Sequence, residues 1–95
     1  MIEQVKNYLD ITWQMTDEEE AKLEGMIARG KHALEKRIGK CDFDGDTEEK
    51  TLLFVYVMYE RSGALDDFWK NYASEITTLQ MDRWVDDHAY QEQEV

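Results

Sequence analysis

The stretch LLFVYVMY, Leu52–Tyr59, decides the fold, because it is apolar on every side and its β-branched and aromatic residues suit a buried strand as well as a helix. The residues before it settle the choice. DTEE, Asp46 to Glu49, is a helix-start signature, and Glu48 and Glu49 put negative charge where a helix N-terminus favours it. We therefore expect a helix from about residue 47 to Arg61, with Asp46 as its N-cap. A helix without a polar face belongs in the middle of a bundle.

Working outward, TDEE at Thr16–Glu19 is a second capping signature. From it Leu23, Met26, Ile27, Gly30, Leu34 and Ile38 recur at spacings of three and four, so a long second helix ends where Gly39 adopts a left-handed conformation. Gly25 and Gly30 each cost a helix interior about 1 kcal/mol, and we read both as permitting close approach of a neighbouring element. Ile2, Val5 and Leu9 share one face of an opening helix. After Ser62 and Gly63, the stripe Leu65, Phe68, Trp69, Tyr72, Ile76 and Leu79 forms a fourth helix or a kinked continuation of the third. The fold class is all-α, a small bundle of four to five helices. It divides into a helical domain, residues 1–82, and an acidic C-terminal tail, residues 83–95, too polar to bury enough apolar surface and expected to order on assembly.

Composition narrows the function. A chain of 95 residues makes one domain, without room for a deep catalytic cleft beside separate binding domains. Its 22 acidic and 11 basic residues leave a net charge of −11, which repels phosphate backbones and anionic membrane surfaces. No apolar run is long enough to span a bilayer, and MIEQVKNYLD lacks the pattern of a signal peptide, so a soluble intracellular product is expected. The single Cys41 has no internal disulfide partner, and we read it as a bystander.

The loop DFDGDTEEK, Asp42–Lys50, looks like the opening of a calcium loop, since oxygen ligands there come from alternate residues. Aligning Asp42, Asp44 and Asp46 with its first three ligand positions puts Thr47 where the tight turn wants glycine and Leu53 where a bidentate glutamate should close the shell. We read Asp44-Gly45 as a turn and Asp42 as solvated, with a weak cation cluster as the lesser alternative. No metal or cofactor is expected. His32 and His88 are isolated surface residues, and Glu60 and Arg61 emerge into solvent at the end of a core helix. No catalytic constellation is present, so the chain is not expected to be an enzyme. Trp13, Trp69, Tyr72 and Trp84 stand out as aromatics set among acids, a composition favoured in protein contacts.

The order VKNYLDI, TDEEEAKLEGMIARGKHALEKRIG and DFDGDTEEKTLLFVYVMYERSGALDDFWKNYASEITTLQ resembles the small head-to-tail connector (head-completion, DNA-packaging) proteins of long-tailed bacteriophages and prophages, over residues 2 to about 82. The family pattern commonly has an arginine before the aromatic of the third helix, where this chain has Val57, Met58 and Tyr59 ahead of Glu60 and Arg61. The resemblance implies a non-enzymatic virion protein of the neck, forming a ring, dodecameric in the assembled particle. Its implied partners are copies of itself, the portal protein above, a further connector or tail-completion protein below, and DNA passing without sequence-specific contacts; no membrane is involved. A closed ring needs two different patches that meet. The face Trp69-Tyr72-Ile76 and the surface around Gly30 are the candidates, with Met81 and, in the tail, Trp84 as further interface candidates. Two other classes stay open: a calcium-responsive helical module, and an acidic inhibitor that imitates DNA.

Overall fold

The structure, a computed structural model, describes residues 1–93, with side chains described through Val85. The chain folds as five helices: α1 (Ile2–Tyr8), α2 (Asp17–Ile38), α3 (Glu48–Arg61), α4 (Leu65–Asn71) and α5 (Ala73–Gln93), with no strand among the described residues. LLFVYVMY is helical. Leu52, Leu53, Val55, Tyr56 and Val57 are all buried, so α3 is the central helix that its lack of a polar face demanded.

The long helix begins as its sequence directs. The Thr16 hydroxyl accepts from the Glu19 backbone N–H, and the Glu19 carboxylate accepts from the Thr16 N–H, both at 3.2 Å, forming a reciprocal capping box. Four acids, Asp17 to Glu20, follow in the first turn, where the helix dipole favours them. Leu23, Ile27, Gly30, Leu34 and Ile38 form its buried stripe. Gly39 ends the helix at φ 106°, ψ −158°, which lies outside the left-handed helical region anticipated for it and is open to glycine alone.

Gly30 explains how closely the two central helices meet. A Cβ at this position would lie 2.7 Å from Leu53 Cδ1 and 2.8 Å from Tyr56 Cδ1, so α3 sits directly on the α2 backbone. Gly25 differs from expectation: a Cβ there would meet only the Arg29 side chain of its own helix, at 3.2 Å.

The stripe from Leu65 to Leu79 is cut at Tyr72, whose φ −111° and ψ 17° interrupt the helix between α4 and α5. The break redirects the chain. α4 packs on α3, whereas α5 returns along α2, and one straight helix would not reach both. α5 then runs to Gln93, through the segment assigned to the tail; His88 falls beyond the described side chains.

Candidate assembly surface

The aromatic residues proposed from sequence as a partner face are first of all core. Phe68 is fully buried, with Tyr56, Tyr59, Trp69 and Tyr72 around it at centroid distances of 4.9 to 5.9 Å. Trp69 is half-buried, with the Arg37 guanidinium stacked 3.8 Å from its ring centre. Tyr72 stacks on Phe68 and meets Tyr59 edge-on, and burial pushes its hydroxyl pKa upward. Ile76 is 5% exposed. Gly30 is covered by α3. The faces of Gly30, Ile76 and much of Trp69 and Tyr72 are therefore spent within the subunit, because a helix pair this small must use its apolar stripe to close its own core.

Met81 and Trp84 are more exposed. They are 59% and 58% exposed, and Val85 beside them is 51% exposed, which makes the outer side of α5 the largest apolar surface on the described part of this helix. A clamp fixes that orientation. Gln80 donates from Nε2 to the Arg37 carbonyl at 2.7 Å, and Arg83 donates from Nε to the Lys40 carbonyl at 2.9 Å. The same guanidinium donates to Glu49, whose side chain is 5% exposed and also accepts from the Asp42 N–H at 3.1 Å. Ile76 and Leu79 are the buried residues of this part of α5, and Arg83 turns toward α2 beside them, leaving Met81, Trp84 and Val85 exposed. Sequence reasoning missed this clamp. Its signal was Arg83, a lone base in the acidic run from Asp82 onward, together with Glu49, an acid at the mouth of an apolar helix.

The clamp also anchors the DFDGD loop. Asp42 Oδ1 accepts from the Asp44 and Gly45 N–H groups at 3.0 and 3.1 Å, and the Asp42 carbonyl accepts from the Thr47 hydroxyl at 2.6 Å. Asp42 is thus a turn-former rather than a merely solvated residue. The N-cap of α3 is Thr47, accepting from Lys50 N–H at 3.2 Å, and not Asp46, because the Asp42 turn delays the helix by one residue. Asp44 and Asp46 are exposed, and among the described residues no group of three His, Cys, Asp or Glu side chains is arranged to hold a metal ion. The Gly45 and then the Asp44 amides hold the Asp42 carboxyl below its usual pKa. Its stabilisation is therefore present above the ordinary aspartate range and is lost as pH falls through the lowered value. In an NMR titration the Asp44 and Gly45 amides should shift with a midpoint below 3.8; a midpoint at or above that value would contradict the turn.

At the far end of α2 lies a second feature. Met15, Leu23 and Met26 floor a notch of about 130 Å³, with Lys22, Arg61 and Glu19 around it. Trp13, 52% exposed, flanks it with its Nε1 3.5 Å from Glu19 Oε2, and Arg61 lies 5.8 Å over its ring. Glu60 does not emerge freely as expected: its Oε1 accepts from Arg29 Nε at 2.8 Å, and its side chain is 16% exposed. His32 is exposed. Cys41 is half-buried, and burial followed by the charges of Glu49 and Glu35 pushes its thiol up to about 11, so it is a poor nucleophile at neutral pH. No helix of the described residues is long and apolar enough to cross a membrane.

Comparison with protein-family models, curated proteins and solved structures finds no match.

Proposed function

We propose that this chain is a non-enzymatic structural subunit of a phage or prophage neck, a head-to-tail connector that assembles as a ring beneath the portal. There it extends the DNA channel and presents a platform to the next connector or tail component. The observation that carries the reading is the order of the connector-like segments. VKNYLDI opens on α1, TDEEEAKLEGMIARGKHALEKRIG covers the capping box and α2, LLFVYVMYER lies on α3, and ALDDFWKNYASEITTLQ covers α4 and the start of α5. Two physical features support it. A net charge of −11 suits the wall of a channel through which DNA must pass without counterion-releasing contacts, and the exposed stripe of α5 offers apolar surface for association.

Sedimentation velocity over a wide concentration range, with electron microscopy of the largest species, tests the reading. A discrete closed ring is expected, unchanged by chelator, since Asp42 already serves its own turn. Open, unlimited polymers, or assembly that requires calcium, would count against it. Alanine at Trp69 or Tyr72 would report on the core, so the assembly variants belong at Met81 and Trp84.

A further inference from the structure

The apolar surface of α3 is not all claimed by its neighbours. At Tyr72 the chain turns from α4, which packs on α3, into α5, which runs along α2, and a groove of about 220 Å³ is left between α3 and the start of α5. Leu52 and Val55 form its floor, Tyr72 lines it at the break, and its two helices contribute one carboxylate each, Glu48 from α3 and Glu75 from α5. Both acids are exposed, and among the described residues no cation pairs with either. Lys50, the basic residue closest to Glu48 in sequence, stands about 160° round α3 from Glu48 and Leu52. Its Nζ lies 6.0 Å over the Phe54 ring instead.

The rim of this groove therefore carries one sign of charge. Other hollows carry both: Glu19 with Lys22 and Arg61 at the start of α2, and Glu24 with Lys31 where α1 meets α2. An apolar floor between two unpaired carboxylates suits a long basic side chain, whose aliphatic stem lies on apolar surface while its head reaches an acid. The groove is smaller than the roughly 300–1,000 Å³ of ordinary ligand pockets, so a free amine would bury too little of itself to be held tightly. A side chain carried on a protein segment gains more. Beyond the groove, Met58 is 37% exposed one turn after Val55, and Tyr8, 41% exposed, packs on Phe54 at 5.6 Å, extending the apolar surface along α3. A second copy of the chain, with its net charge of −11, complements this acidic rim less well than a basic partner does.

We propose that the groove between α3 and α5 docks a basic amphipathic segment of a different protein, with a lysine or arginine stem on Leu52 and Val55 and its charge between Glu48 and Glu75. The contact goes beyond the connector reading and does not depend on it; under that reading the segment belongs to a neighbouring neck component. Because both acids are exposed, binding is expected to weaken with salt.

The probe is a synthetic amphipathic helical peptide of leucine and lysine, titrated into the full chain and followed by NMR. Shifts should centre on Leu52, Val55, Tyr72 and Glu75, and a scrambled peptide of the same composition, without an apolar face, should bind more weakly. Glu48→Gln with Glu75→Gln should weaken the peptide about 10-fold. Glu18→Gln with Glu24→Gln, which removes the same charge from exposed positions on α2, should change its affinity by less than about 2-fold. Thr51→Lys, which places the chain's own cation at the groove, should also block the peptide; thermal unfolding confirms the fold of each variant. Equal weakening by the two glutamine pairs, equal binding of the scrambled peptide, or shifts centred elsewhere would overturn the site. Wild-type self-association lost in Glu48→Gln with Glu75→Gln would assign the groove to a second copy and overturn the proposal of a different partner. Peptide seated in the groove of a chain that forms no ring would uphold the site and count only against the connector.

Discussion

Gly30→Leu should lose about 3 kcal/mol or more of stability in urea unfolding, because the first added carbon already falls inside the van der Waals envelope of α3. The two atoms it would strike cannot move aside. Leu53 is fully buried, and Tyr56 is held edge-on by Phe68 and Trp69 at 5.5 and 5.9 Å. Even alanine, which gains about 1 kcal/mol in helix propensity over glycine, should be net destabilising here. Gly25→Ala is the contrasting case. Its Cβ would meet only the tip of the Arg29 side chain, at 3.2 Å from Nη1, so the propensity gain should survive as a stabilisation of about 0.5–1 kcal/mol. A neutral Gly30→Leu would mean that α2 and α3 do not approach as described.

Arg83→Ala should cost about 2–3 kcal/mol, less than the 3–5 kcal/mol of a fully buried pair because Arg83 is 32% exposed. The loss arises at Glu49, whose carboxylate at 5% exposure would keep only the Asp42 N–H. It follows that removing both charges hurts less than removing one. Glu49→Leu with Arg83→Met should recover most of the stability, since a buried ion pair replaced by apolar side chains of similar volume is often neutral. Hydrogen exchange adds a local signature: in Arg83→Ala alone, the α5 amides should lose protection before those of α3, because Gln80 is left as the hydrogen-bonded anchor to the end of α2. Equal losses in the single and double variants would contradict the clamp.

Helix positions and the identity of the central helix were legible in the sequence because they rest on local chemistry. The Thr16–Glu19 box, the stripe through Leu34 and the unbroken apolar run of α3 each involve residues within a turn or two of one another. The α3 cap was misplaced by one residue, since Asp46 and Thr47 are both good caps and only the Asp42 turn, with its Thr47 hydroxyl contact, chooses between them. The site was less legible. Periodicity identifies an apolar face but not what covers it, so Trp69, Tyr72 and Ile76 read equally well as core or interface until α3 and α2 are seen to claim them. The Glu49–Arg83 pair joins residues far apart in the chain, and nothing in spacing alone links them.

The most direct measurement is electron microscopy of the purified chain incubated with portal complexes of long-tailed phages. The connector account expects a closed ring coaxial with the portal channel, lost in Met81→Ser with Trp84→Ala while the helical content is retained. Portal complexes that remain bare at saturating chain, or that bind it as single copies away from the axis, would contradict it.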